Sequence, residues 1–539
     1  MWSQNYTPLA GSLGWSAFAA SLPMVVLFYL LAVRRLAAWK SALASLAAAV
    51  LLAAFVYRMP PGPILAATLY GAAFGLLPIG WITFSAILLY RLTLETGQFE
   101  VIKGSLARLT TDRRLQALLV AFAFGAFIEG AAGSGVPVAV GAAILTGLGF
   151  SPLQAAGVCL LANTAPVAFA AIGTPTVTLA LTTGLPLDRL SAVTGRVCAP
   201  LSLCVPAYLT VLVGGWRGLK GAFPAVLVCG ISFATVQLAV SNLIGPQTTA
   251  LLASVATMVS LVALLQVWQP RDGSDYERRN LAPAPVYSKW AVWRAWMPYL
   301  LLAVCVLVWG LPPVRALLAK TSLAFAWPAL HLRVLRNVPV VPAPTPYAAI
   351  YQLDWLACAG TACLLAAVIS AACVGISLRT FGRVFRQTSA QMLLPLVTIA
   401  SVLGLAFVMN YSGATATLGL MLAATAGLFP FFSPMLGWVG VFLTGSDTSA
   451  NALFGNLQVV TAGRLGLNPV LMAVANSCGG AVGKMISIQS IAVAVAATGM
   501  KTSQEAELFR STFRHSVVLI CAMGLLIVFY SYVQPGWVR

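Results

Sequence analysis

The chain is a succession of apolar runs, each about as long as a bilayer is thick. A spanning helix needs about 20 such residues. Runs of this kind lie near residues 13–33, 41–57, 64–90, 115–128, 136–150, 153–181, 190–214, 222–244, 248–268, 291–311, 350–378, 389–410, 415–430, 434–460, 468–498 and 513–533. Several are too short or too glycine-rich to be simple spans. The expected fold is therefore an all-α polytopic membrane protein with about 12–14 transmembrane helices plus broken or re-entrant segments. Only 8% of the 539 residues are charged, far below the roughly 25% of soluble domains. That excludes a soluble enzyme and a disordered chain.

The charges that are present set orientation. Lys and Arg number 31 against 12 Asp and Glu, a net +19. The cations sit between apolar spans and form no single basic face, so they point to cytoplasmic loops beside anionic lipid, not to nucleic acid. The loops holding Arg34, Arg35 and Lys40, and Arg91, Lys103, Arg108, Arg113 and Arg114, fall where the rule expects cations if the N-terminus is periplasmic. The first 33 residues carry no charged side chain, so the basic start of a cleaved signal is missing and the first run reads as a retained helix. Ten cysteines without metal-site spacing and only two histidines, His331 and His515, give no metal or cofactor site. No zinc, nucleophile-elbow or Walker motif is present, which argues against an enzyme and against an ATP-driven pump.

The chain divides into a membrane half 1–268, a hydrophilic loop 269–290 and a second half 291–539. The second half contains a loop, 312–348, with seven prolines. Both loops read as linkers. Each half carries one signature: GFSPLQAAGVCLLANTAPVAFAAIGTPT at 149–176, and GLNPVLMAVANSCGGAVGKMISIQS at 466–490. Asn163 stands eleven residues before Thr174, and Asn476 eleven before Ser487. Upstream of each lies a polar, small-residue segment, FIEGAAGSGVP (127–137) and LTGSDTSANALFG (443–455). The repeats so defined cover 115–184 and about 389–499. Polar breaks at matching places in two halves are the mark of a transporter site, because irregular backbone at membrane depth survives only where it lines a cavity or meets a ligand. Close packing of helices through small residues explains the Gly and Ala, but not the paired Asn-Thr and Asn-Ser.

Three ionisable groups remain inside these apolar repeats: Glu129, Asp447 and Lys484. An intramembrane charge is a functional hypothesis by default. Either carboxyl could carry a coupled proton, since burial favours its neutral form. Lys484 could pair with one of them structurally or attract an anionic substrate. Gly130, Ser134, Asn163, Thr164, Thr174, Ser446, Thr448, Asn476, Ser477, Ser487 and Gln489 supply the hydrogen-bonding groups expected around a small polar solute. Any one of them alone is more often a helix cap or an interhelical bond.

Residues 97–116, 113–176, 213–237 and 443–494 closely resemble the bacterial L-lactate permease family, and the resemblance runs from about 13 to 533. It implies a cytoplasmic-membrane carrier of L-lactate and related 2-hydroxymonocarboxylates, D-lactate and glycolate among them, working by proton symport. The family's grouping with the ion transporter superfamily implies inverted repeats with re-entrant hairpins and a homodimer. The chain departs from the family pattern at Ser134 and Val136, where a bulkier aromatic and a threonine are expected. The alternative is a sodium-coupled carrier of another small organic anion.

Overall fold

The computed structural model describes the chain except for Ser134, Arg271, Arg539 and residues 273–275, 277–285 and 502–503, and except for the side chains of Ala107 and Pro312. Ser134 and most of the 269–290 loop thus lie outside the described residues. Among those described, twelve helices are long and apolar enough to cross a membrane, or thirteen if one bent pair is a single span. They begin with Leu13–Val33, Ala38–Val56 and Pro61–Glu95 and end with Glu505–Tyr532. The bent pair is Pro152–Ala162 with Val167–Thr183, at 61°.

Eight helices form the centre. In chain order they are α1 (Arg113–Ala131), α2 (Val136–Gly147), α3 (Pro152–Ala162), α4 (Ala170–Thr183), α5 (Phe429–Thr444), α6 (Asp447–Leu465), α7 (Pro469–Gly483) and α8 (Ile488–Thr498). The signature found twice in the sequence has a local cause. Ser151 and Asn468 are N-caps whose side chains accept from the Gln154 and the Val470 and Leu471 amides, and Pro152 and Pro469 occupy the first helical position. A proline there loses no hydrogen bond, because that amide is unpaired in any helix.

Small residues let the central helices touch backbone to backbone. A Cβ placed on Gly437 of α5 would lie 1.8 Å from the Asn476 carbonyl oxygen, and one on Gly479 of α7 would lie 1.8 Å from that of Pro434. In lipid, where no hydrophobic effect drives helix pairing, such close van der Waals contact is the main attraction. A second apolar cluster packs the helices Leu13–Val33 and Ala38–Val56 against Leu378–Ser412.

The proline-rich stretch 312–348 is no plain linker. It opens with the helix Pro312–Ala319 and then forms a small cap. Strand Leu323–Ala326 pairs antiparallel with Ile350–Leu353, while Val334–Arg336 runs parallel to the N-terminal Trp2–Ser3 and antiparallel to Thr345–Pro346. The cap also grips a span. Pro61–Glu95 breaks at Gly75–Gly80, and the Tyr351 hydroxyl donates to the Leu77 carbonyl at 2.9 Å, satisfying an acceptor that the break frees.

Cations collect at another set of helix ends. Arg383 pairs with Glu95 at 2.6 Å. Arg114, fully buried at the start of α1, pairs with Asp112 at 2.6 Å and Asp272 at 2.9 Å, and its guanidinium stacks over Tyr276. The guanidinium holds the Asp272 carboxyl below its usual range.

The glycine contact is directly testable. Gly479→Val forces α5 and α7 apart and costs about 3 kcal/mol, read as a lower melting temperature of the detergent-purified protein. Gly157→Ala, at a helical glycine with open space around it, leaves the melting temperature unchanged or raised. Equal melting temperatures for the two variants would contradict the packing account.

Candidate functional site

All four helix breaks of the centre open onto one cavity of about 480 Å3. Glu129, Gly133 and Gly135 come from the α1–α2 break, and Ala170, Ala171, Thr174 and Pro175 from the start of α4. Gly445, Ser446, Asp447 and Thr448 come from the α5–α6 break, and Lys484, Gln489, Ser490 and Val493 from the α7–α8 break. Ile79, Thr83 and Ile399 close the other flank. At about 30 Å3 per water, the space holds a three-carbon acid and some solvent. Gln489 and Ala492 are exposed at its mouth.

The local sequence explains each break. After α1, Gly133 and Gly135 adopt φ of +61° and +80°, a left-handed geometry that glycine tolerates without a Cβ clash. At the start of α4 the left-handed run is Ala171, Ile172 and Gly173, with φ of 42°, 58° and 71°. Two non-glycine residues held there store strain, about 1–3 kcal/mol each. The freed Ala171 carbonyl accepts from the Thr174 hydroxyl, and that of Ala168 accepts from Thr176 at 3.0 Å. In the second half, Ser446 caps α6 by accepting from the Ser449 amide. Asp447 then stands in the first turn, where the positive end of the helix dipole favours an anion.

The three isolated ionisable groups meet here. Glu129 is 1% exposed, Asp447 4% and Lys484 6%. The Lys484 ammonium donates to the Gly445 carbonyl at 2.6 Å. Among the described residues no carboxylate lies within 4.0 Å of it, so of the two roles open to Lys484 the direct ion pair is not formed. Lys484 nevertheless lies within electrostatic reach of both acids. The site is a carbonyl-anchored cation facing two carboxyl groups.

The acids differ in support. Asp447 Oδ2 accepts from the Ser477 hydroxyl at 2.7 Å. Ser477 accepts from Asn451, whose amide also donates to the Pro175 carbonyl. Asn451 Oδ1 accepts from Asn476 at 2.9 Å, and Gln458 donates to Asn476 at 3.3 Å. In the first half the matching groups are unfilled. Glu129 Oε2, both polar atoms of the Asn163 amide and Thr164 Oγ1 are buried without a well-formed hydrogen bond to the protein. Asn163 still lies close enough to Glu129 to act on its carboxyl. Asp447 Oδ1 is unpartnered as well. An unsatisfied buried polar atom costs about 1–3 kcal/mol, so such a cluster marks a place for a polar guest.

Of the residues singled out from sequence, Glu129, Thr174, Ser446, Asp447, Thr448, Lys484 and Gln489 line the cavity. Asn163, Thr164, Asn476 and Ser477 are buried outside its lining. Gly130 packs on Ala250 and Leu251, and Ser487 caps α8 by accepting from the Ser490 amide. Ser134 lies outside the described residues. Ile79, Thr83, Ile399 and Ser490 were missed. The Gly75, Pro78 and Gly80 interruption within the run 64–90 was the signal that could have pointed to Ile79 and Thr83. Among the described residues, no group of three or more His, Cys, Asp and Glu side chains is placed to hold a metal ion.

Comparison with known proteins agrees with this picture of a membrane carrier. Residues 16–534 match the family "L-lactate permease". An L-lactate permease of Bacillus subtilis (strain 168) is 45% identical, covering 99% of this chain and 98% of that protein. Glycolate permease GlcA of Escherichia coli (strain K12) is 44% identical over 99% of both. An L-lactate permease of Salmonella typhimurium is 42% identical over 99% of this chain and 98% of that protein. Among solved structures, Neisseria gonorrhoeae MtrF aligns with a TM-score of 0.45 at 15% identity, over 87% of this chain and 84% of that one. The Alcanivorax borkumensis YdaH transporter aligns with a TM-score of 0.46 at 14% identity, over 87% and 88%. The chain belongs to the L-lactate permease family, whose members are membrane transporters and not enzymes.

Proposed function

We propose that this protein carries L-lactate and related 2-hydroxymonocarboxylates, D-lactate and glycolate included, across the cytoplasmic membrane by proton symport. The single observation that carries the reading is Lys484. It is buried, it lines the cavity, and it is anchored on a carbonyl, not on a carboxylate. Its remaining N–H groups are available to a substrate carboxylate. Thr174, Ser446, Thr448 and Gln489 are placed to bind the 2-hydroxyl and the second carboxylate oxygen.

Charge balance supports the coupling. One cation faces two acids, so with an anion bound in this low-dielectric space both carboxyls cannot also be ionised without leaving uncompensated negative charge. The imbalance is least when the anion brings a proton to Glu129 or Asp447. We assign the proton to Glu129: each acid keeps one oxygen without a protein partner, Glu129 Oε2 and Asp447 Oδ1, but the other oxygen of Asp447 is fixed by the Ser477 hydroxyl.

The two halves, α1–α4 and α5–α8, fit an inverted repeat of a hairpin followed by a broken span, with the breaks at the midplane. Loops bearing Arg34, Arg35, Arg91 and Lys103 belong to the cytoplasm by the positive-inside rule, which puts the N-terminus and the cap in the periplasm. The second reading is sodium coupling. The unpartnered Asn163 oxygen beside Glu129 favours it, since a hard cation takes oxygen ligands.

Three measurements decide between these readings. Glu129→Gln abolishes lactate accumulation driven by an imposed pH gradient in proteoliposomes but spares lactate exchange; normal accumulation by this variant refutes the proton assignment. Lys484→Met raises the KM for L-lactate at least about tenfold, since a charge-assisted hydrogen bond contributes roughly 1.5–3 kcal/mol. Uptake in sodium-free buffer proceeds at the full rate under proton coupling and stops under sodium coupling.

A further inference from the structure

A second cavity, of about 280 Å3, lies on the same seam as the first. The two share two walls. Helix α4 gives Ala170, Ala171 and Thr174 to the first and Val177 and Leu181 to the second. The Pro61–Glu95 span gives Ile79 and Thr83 to the first and Leu77, Pro78 and Ile82 to the second. Between the two spaces stands about one helical turn. Ile79 and Ile82 are buried, at 0% and 2% exposure, so the layer is apolar and closed.

The second cavity lies toward the cap. Arg315 of the helix Pro312–Ala319 and Gln352 and Asp354 beside the strand Ile350–Leu353 line it. The first has its mouth at Gln489 and Ala492 on α8, whose far end leads away from the cap toward Lys501. The second cavity also has polar chemistry of its own. Thr248, at the N-terminus of the helix Thr249–Val267, lines it, and its hydroxyl is buried without a partner. Arg315 is exposed in it, and among the described residues no acid lies within 4.0 Å of that guanidinium. The other charged lining groups are Asp188 and Asp354, the latter accepting from Gln352 at 3.1 Å.

We propose that this second cavity is the cap-side access chamber of the same transport path. Here it is shut off from the centre by the Ile79, Ile82 and Val177 layer, and a small carboxylate enters it between Arg315 and the Thr248 helix terminus. The arrangement rests on the transport reading above. It adds where the substrate passes when the centre is reached from the other face. Arg315 and Thr248 offer the anion its contacts.

The test uses the full chain in membrane vesicles of both orientations, with Cys204, Cys358 and Cys373 replaced by serine. Leu181→Cys and Val493→Cys are introduced singly and treated with a membrane-impermeant maleimide. Leu181→Cys should label faster from the cap side and Val493→Cys faster from the opposite side, and labelling either one should block L-lactate transport. Leu187→Cys, at another lining position, replaces Leu181→Cys if that variant does not fold. Arg315→Gln should raise the KM for lactate presented at the cap side about fivefold and remove its salt dependence, while Arg315→Lys restores both. Labelling of both cysteines from one face only, or an unchanged KM in Arg315→Gln, overturns the chamber. Failure of the wild-type protein to move lactate overturns the transport reading instead.

Discussion

A broken helix inside a bilayer has to find partners for its own backbone. Lipid offers none, and each unmet amide or carbonyl costs several kcal/mol. This chain breaks four helices and brings the ends together around one cavity. Side chains then supply what the helices lose: Thr174 serves the Ala171 carbonyl, Lys484 that of Gly445, and Ser446 and Ser487 cap the helices that follow. The cavity is the geometrical result. Where four helix ends meet, packing cannot be complete, and polar groups face the space left over. The glycine contacts between α5 and α7 serve the same end, because they bring the Asp447 and Lys484 breaks close enough to share it.

The two halves meet this demand unequally. Around Asp447 the amides of Asn451, Asn476 and Gln458 form a hydrogen-bonded set that leaves Asp447 Oδ1 unpartnered. Around Glu129 the corresponding groups are unfilled. A satisfied network holds one geometry, whereas an unsatisfied one gains free energy from whatever polar species enters. That difference suits a division of labour in which one half fixes the site and the other responds to what is bound.

Much of this was legible in the sequence, and for a plain reason. Water-free surroundings make polar residues rare and their positions informative, so Glu129, Asp447 and Lys484 stood out from apolar runs without any structure. The Ser-Pro and Asn-Pro pairs likewise marked helix starts, because capping is a local matter. What stayed hidden depends on distant contacts. The Gly75, Pro78 and Gly80 interruption marks a break in the 64–90 run but not which helix Ile79 and Thr83 face, since that follows from how separate helices pack. Ser487 and Gly130 carry the right chemistry for a ligand, yet a neighbouring amide and two neighbouring residues claim them first. The prolines of 312–348 argued for a linker, but its strands pair with the chain's first residues, more than 300 positions away. No local pattern records such a partner.

One bond from the Asn451 amide to the Pro175 carbonyl joins the two halves. Pro175 sits within α4 just after its left-handed start, and Asn451 lies in the first turns of α6. Each half therefore completes the other's interior. Apart, one would bury a bare carbonyl, and the other an amide with only its Ser477 partner left. The two similar stretches of sequence thus meet, in three dimensions, in one interlocked object.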